Sequence, residues 1–342
     1  MSIISQRITK IELGPAQYHQ NLTMFPLVET EPRDADFLLL DEALEAGLAR
    51  VTEISEGGSV PELKFINQAA RPILLLDGEE LIGAKQNRIV NLTILVPAQT
   101  TIVIPVSCVE QGRWHSQSAA FKAAKRTHFA SGRSRKANRV TESLQNSGSR
   151  RGNQGEVWED IETKFRRFDV NSPTAAAATI YEARGNELEN YRQAFSPITN
   201  QTGVLFAING KALGLDLFDS PKPLQSLLPG LIESYALDAL DQREENSPAQ
   251  PAPAATATKL LSNCAAAEIS VFPAIGLGDD LRLQSAKVTG GALALGERVV
   301  HLCAFRPPQQ ETSNHPRRGS RITRASARRR QYQIPDENEF FD

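Results

Sequence analysis

The sequence predicts an α+β protein of mostly antiparallel β sheets, sandwich or barrel-like, with a helical insertion and a capping helix. Three observations lead there. Between Ile73 and Val106 run three short apolar segments, 73–76, 89–96 and 102–106, the last two β-branched and all too short for buried helices. The connections between N-terminal strands are too brief to house crossover helices, which argues for antiparallel pairing and against a Rossmann arrangement. The long helical patterns fall at 156–195 and 224–240, after which the β pattern returns.

In chain order, 8–13 and 22–28 read as strands punctuated by Gly14-Pro15 and Pro26, so the opening is expected to be β. Residues 41–47 read as a short helix, with Asp41 and Glu42 in the first turn and Gly47 near its end. Residues 49–54 and 60–67 flank Glu56-Gly57-Gly58-Ser59 as a hairpin. Residues 111–151 carry ten Lys or Arg against one acid, Glu142, with few apolar residues; they read as a long basic surface loop or a loosely packed helix pair. Such a run is either a solvated face or an anion clamp.

Val157, Ile161, Phe165 and Phe168 fall at helical steps, and a second helix is expected across 175–194, after Ser172-Pro173. Asn209-Gly210 between 203–208 and 213–218 is the strongest hairpin signal in the chain. Leu224 to Leu240 forms an amphipathic helix that should cap the sheet. Residues 245–258 read as a flexible Pro/Ala linker, 259–267 as a helix, and 268–272, 281–288, 291–295 and 298–305 as strands, with a turn at Gly290-Gly291. The expected organisation is a β-rich part over 1–110, a basic loop over 111–155, and helices plus strands over 156–305 that join 1–110 in one unit. A tail over 306–342, with seven Arg between Arg317 and Arg330 and an acidic end, is expected to be disordered.

With 40% hydrophobic and 23% charged residues the chain can bury a core, and a net charge of −2 supplies no global attraction to nucleic acid or membrane. A nucleic-acid partner therefore rests only on the basic segments and is not favoured. Three cysteines without motif spacing argue against a disulfide framework or a cysteine-based zinc site. With no signal-like N-terminus and no run of eighteen apolar residues, a cytoplasmic protein without a membrane anchor is expected. The absence of G-x-S-x-G, H-E-x-x-H, P-loop and dinucleotide fingerprints removes the commonest hydrolase, zincin and nucleotide-triphosphate readings, and no cofactor or metal is implied.

Polar residues crowd the ends of the focal strands. Asp77, Glu79 and Glu80 place three carboxylates in four residues, which would raise at least one pKa unless a cation is near; Lys85 and Arg88 are the nearest candidates. The cluster is either an acid/base or hard-metal site or an ion-pair knot tying a loop to the sheet. Gln86, Asn87 and Arg88 suit hydrogen bonding to a planar base or a phosphate, or equally to nearby backbone. Cys108 lacks a Cys-His motif and reads as packing. Glu110, Arg113 and Trp114 form a second polar corner, and Gln154 and Trp158 re-enter beyond the basic segment. Arg282 and His301 are polar side chains on otherwise apolar strands.

The runs Leu76-Asp77-Gly78-Glu79-Glu80-Leu81, Gly83-Ala84-Lys85-Gln86-Asn87-Arg88, Val96-Pro97-Ala98, Ile104 to Glu110 and Gly112-Arg113-Trp114 resemble the signature of one prokaryotic family, the ADP-ribosylglycohydrolase and rhodanese-phosphatase associated protein domain. Echoes at 154–158, 214–218 and 234–240 extend the resemblance over most of 10–305. It implies an association with nucleotide or ADP-ribose metabolism and no particular reaction. Two hypotheses follow. One is a ligand-handling domain for nucleotide- or ADP-ribose-type molecules, with Glu79, Glu80, Lys85, Gln86, Asn87, Arg88, Glu110, Arg113, Trp114, Gln154 and Arg282 as binding candidates. The other is a non-enzymatic homo-oligomeric scaffold in which the same loops pack subunits together.

Overall fold

The computed structural model describes residues 1–55, 57–243 and 250–308, and residues 1–308 make one unit. The chain opens with helix α1 (Ile3–Ile8), capped by the Ser2 hydroxyl accepting from the Ser5 amide. The β opening expected from 8–13 is thus corrected: only β1 (Ile11–Leu13) is strand there, followed by β2 (Gln17–His19) and β3 (Leu22–Glu29). Next come β4 (Leu38–Leu39), α2 (Leu40–Glu45), and the expected hairpin of β5 (Ala49–Thr52) and β6 (Glu62–Asn67). The focal stretch supplies β7 (Ile73–Leu75), β8 (Glu79–Gly83), β9 (Arg88–Val90), β10 (Ile94–Val96) and β11 (Thr101–Cys108).

Of the basic segment only 111–120 is a largely exposed loop; the rest is neither a surface loop nor a loose helix pair. It folds into β12 (Phe121–Thr127) and α3 (Ala130–Ser147), which ends on Gly148 in the left-handed region. Ala130, Arg133, Ala137, Val140 and Leu144 recur at helical spacing on its buried face. The Arg133 and Lys136 side chains are 0% exposed, because acidic partners from distant parts of the chain, Asp77 in the turn between β7 and β8 and Asp216, lie inside to meet them. Helix α4 (Gln154–Phe168) follows, capped by Asn153. The single helix expected over 175–194 is two, α5 (Ala177–Ala183) and α6 (Gly185–Ala194), broken at Arg184.

Strands β13 (Gln201–Ile208) and β14 (Lys211–Phe218) join through Asn209 and Gly210, both at positive φ (47° and 75°), as a two-residue turn of this type demands. Helix α7 (Pro221–Asp241) follows. Gly230 on its inner face lets the helix approach β12 so closely that an added Cβ would lie 3.1 Å from the Lys125 carbonyl oxygen. Part of the expected linker is ordered: Ala252 is buried and α8 (Ala254–Ala265) begins earlier than expected, while 244–249 lie outside the described residues, as does the expected tail from 309 onward. Strands β15 (Glu268–Pro273), β16 (Asp279–Gln284), β17 (Thr289–Leu295) and β18 (Arg298–Phe305) close the unit. Gly290 and Gly291 sit within β17; the turn before it lies at 285–288, where the Ser285 amide donates to the Val288 carbonyl.

The strands form three sheets. A nine-stranded sheet runs β1-β3-β13-β14-β18-β17-β16-β15, with β2 beside β3; a six-stranded sheet runs β12-β8-β9-β11-β6-β5; and a three-stranded one runs β10-β7-β4. Among these pairings only β4 with β7 is parallel, so the protein is α+β with mostly antiparallel sheets, as expected. One face of the large sheet is covered by α1 and α8 through Leu205, Leu215, Leu260, Leu261 and Leu302. Its other face packs Phe206, Phe218 and Phe305 against Leu228, Leu231 and Tyr235 of α7. A separate core of Val51, Phe65, Leu75, Leu81, Val90 and Ile104 fills the space between the two smaller sheets. No helix among the described residues is long and apolar enough to cross a membrane.

Candidate functional site

The register of two strands begins the site. Cys108, the last residue of β11, pairs with Arg88, the first of β9, so the loop before Arg88 and the loop after Cys108 leave the six-stranded sheet side by side. Gly83 (φ 120°) and Ala84 (φ 40°) reverse the chain between β8 and β9 and aim their carbonyls at the second loop. Arg113 answers: its Nη1 donates to the Ala84 carbonyl (2.6 Å), and its Nη2 donates to Asn87 Oδ1 (3.1 Å) and Glu110 Oε2 (2.6 Å). The same Glu110 oxygen accepts from the Asn87 amide at 3.1 Å. Burial alone would raise the Glu110 carboxyl, but Arg113, the Asn87 amide and Thr174 outweigh it and hold it below the ordinary range.

The two corners therefore meet. Gln86 joins them further: its Oε1 accepts from Arg88 Nη1 (3.0 Å) and from the Cys108 thiol (3.2 Å). Gln154, opening α4, clamps the peptide of Cys108 from the other side, accepting from its N–H and donating to its carbonyl, each at 2.8 Å. Trp114 lies over this cluster with the Lys85 ammonium 5.4 Å and the Arg88 guanidinium 5.8 Å from its ring. Lys85 also donates to the Gly57 carbonyl.

Most of the cluster is interior. Gln86, Asn87, Arg88, Glu110 and Arg113 are all buried, whereas Trp114 is 47% exposed and forms its outer cover. Two arginines of the cluster keep buried donors unpaired, Arg113 at Nε alone and Arg88 at two nitrogens. Nη1 of Arg88 is engaged, but its Nε and Nη2 are buried and have no hydrogen-bond partner among the described residues. Burial pushes the Cys108 thiol up despite the neighbouring Arg88, so it stays protonated at neutral pH.

The three carboxylates of the first corner do not share a site, and neither Lys85 nor Arg88 neutralises them. Asp77 turns into the core between Arg133 Nε (3.2 Å) and Lys136 Nζ (3.0 Å). Glu80 pairs with Arg126 at 2.6 Å. Glu79 accepts from the Leu76 amide at 3.0 Å, and burial pushes its carboxyl up to about 8. Arg282 stands on the nine-stranded sheet, where its Nε pairs with Asp280 Oδ1 (2.8 Å) and its guanidinium packs on Gly291; it shares no contact with the cluster. Among the described residues no group of three or more His, Cys, Asp or Glu is placed to hold a metal.

A second buried network escaped the sequence reading. Arg133 reaches past Asp77 to Asp216, which also faces His301 Nε2 (3.4 Å), while His301 Nδ1 shares a hydrogen bond with Thr93 Oγ1 (2.8 Å). The available signal was the position of Arg133 and Lys136 on the same helical stripe as Ala137, Val140 and Leu144, where a cation needs an interior counter-charge.

A family model described as the ARG and Rhodanese-Phosphatase-superfamily-associated Protein domain matches residues 10–305. No curated protein and no solved structure matches the chain.

Proposed function

For a chain that belongs to the ARG and Rhodanese-Phosphatase-superfamily-associated Protein domain family, we propose the role of a ligand-handling protein that takes an anion of the nucleotide or ADP-ribose class at Arg88, beneath Trp114. One observation carries the reading: the unpartnered donors of Arg88 are Nε and Nη2. These two N–H groups lie along one edge of the guanidinium and match two oxygens of a phosphate or carboxylate. Buried donors of a charged group left without an acceptor cost on the order of 1–3 kcal/mol or more, which a bound oxyanion would recover. Trp114 supplies the rest. Its half-exposed indole offers a face on which a base can stack. The family's description, naming association with ARG proteins, agrees with this ligand class. Glu110, Arg113, Asn87, Gln86 and Gln154 hold the two loops in register; no bond-breaking step is assigned to them. Work in the cytoplasm and self-association go with the proposal, the latter measured by size-exclusion with light scattering.

A scaffold role is favoured by a different observation: Glu110, Arg113 and Asn87 bond to one another and are almost wholly buried. Thermal-shift titration separates the two readings. Inorganic phosphate, mononucleotides, NAD and ADP-ribose are the probes, and a ligand at 100 times its Kd should stabilise the fold by about 2.7 kcal/mol. Arg88→Lys keeps the charge but removes the donor pair, and Trp114→Ala removes the platform; each should abolish the shift. No shift with any probe would leave the scaffold reading.

A further inference from the structure

At the far end of α4 from Gln154 lies a cavity of about 560 Å³, lined by Arg167, Phe168, Arg184, Glu187, Leu240, Asp241 and Arg243. Its size falls within the range of small-molecule sites. Three arginines from separate parts of the chain converge there: Arg167 near the end of α4, Arg184 between α5 and α6, and Arg243 just after α7. The carboxylates beside them are already engaged. Glu187 accepts from Arg184 Nη1 at 3.1 Å, and Asp241 Oδ2 accepts from Lys164 and Arg167, each at 2.8 Å. Arg184 is further fixed by donating to the Phe168 carbonyl (2.8 Å) and by stacking 5.0 Å from the Phe168 ring.

The carbonyl ends of α4 and α7 meet here, and cations at helix C-termini are favourable on structural grounds alone. That accounts for Arg167 and Arg184. It leaves Arg243, which among the described residues bonds only to Gln20 Oε1 (3.2 Å) and has no carboxylate partner. It also leaves two buried atoms without partners, the donor Arg184 Nε and the acceptor Asp241 Oδ1. A bare oxyanion supplies charge-assisted acceptors to the arginines but little to donate to a carboxylate; a neutral sugar can donate and accept but brings no charge to three arginines. A molecule carrying both an oxyanion and hydroxyl groups meets both.

We propose that this cavity binds a sugar phosphate, its phosphate held by Arg243 with Arg167 and Arg184, and a sugar hydroxyl donating to Asp241. The site is separate from Arg88 and does not depend on the reading given to it.

Isothermal titration of the full chain with ribose 5-phosphate, ribose and inorganic phosphate at low salt tests the assignment. The expected result is saturable binding of ribose 5-phosphate, tighter than that of either fragment. The exposed pair Arg167→Ala/Arg243→Ala should lose affinity about tenfold or more with its melting temperature unchanged, since charge-assisted hydrogen bonds are at stake. Arg50→Ala, which removes an exposed arginine of β5 outside both sites, should bind ribose 5-phosphate as the wild type does. The proposal is overturned by an absence of saturable binding, by unchanged affinity in the double variant, by an equal loss in Arg50→Ala, or by inorganic phosphate or ribose binding as tightly as the ester. Circular dichroism at 25 °C confirms that the double variant is folded; should it unfold, Arg243→Gln alone carries the test with the same expected loss.

Discussion

Arg133 grips Asp216 with both arms of its guanidinium, Nη1 on Oδ2 at 3.0 Å and Nη2 on Oδ1 at 2.6 Å, where neither side chain reaches solvent. Burial by itself would raise the Asp216 carboxyl, but Arg133 and His301 hold it well below the ordinary carboxylate range. Removing one member of such a pair strands the other charge, which costs about 3–5 kcal/mol. Asp216→Asn should lose stability of that order in urea unfolding at pH 7. A depressed carboxyl contributes fully above its unfolded pKa of about 3.9 and loses that contribution as pH falls through the folded value. The wild-type urea midpoint should therefore drop on acidification below pH 4 more steeply than that of Asp216→Asn.

Glu79 has the opposite sign. Its folded carboxyl titrates at about 8, so between the unfolded pKa near 4.3 and pH 8 the native state keeps a proton that the unfolded chain has released. Stability then falls as pH rises through that window, by up to about 1.4 kcal/mol per pH unit from this group. Asp160, raised to about 7 chiefly by burial, adds in the same direction. Glu79→Gln should flatten the decline between pH 5 and 8. An identical slope in the variant would mean that Glu79 is ionised in the fold.

All three cysteines are buried, and burial pushes Cys108 up and both Cys264 and Cys303 up to about 12. An aromatic disulfide reagent at pH 8 should label none of them in the native protein and all three after unfolding. Rapid labelling of a thiol in the native state, located by peptide mapping, would contradict the burial of that cysteine.

Gly112 donates to the Thr174 carbonyl at 2.7 Å, beside the bridge between Glu110 and Ala176, and a Cβ there would stand 2.8 Å from Thr174 Cα. Backbone is the obstacle, so Gly112→Ala must push the strap bearing Arg113 and Trp114 away from its support. A loss of about 1–3 kcal/mol is expected, with a shift of the Trp114 emission maximum; Trp158 is the only other tryptophan. The double variant Gly112→Ala/Trp114→Phe should show no such shift.

Local signals were read well where the chain's own chemistry decides the outcome. Asn209-Gly210 forces positive φ at two successive residues, and the apolar runs 73–76 and 102–106 fall on strands, whereas 89–96 is not one strand but divides between β9 and β10 in two different sheets. Polar groups gathered at strand ends marked Gln86, Asn87, Arg88, Glu110, Arg113 and Gln154 as candidates, and the fold brings them side by side. What stayed hidden was long-range. The partners of Glu80 and Asp77 lie 46, 56 and 59 residues downstream, at Arg126, Arg133 and Lys136, in a segment whose composition alone suggested solvent. Composition averages over a helix and so conceals which two of its cations face inward. Arg282 misled for the converse reason: a charge on an apolar strand suggested a ligand, whereas Asp280, two residues away, was its partner all along.

Asp77 sits in the first third of the chain, and its counter-ions, Arg133 and Lys136, arrive only with α3. A fragment severed after residue 110 would carry into its interior a negative charge with nothing to balance it. Expression of such a piece should yield unfolded or aggregated material, since the N-terminal strands reach electrical neutrality only once the helix has been synthesised and laid across them.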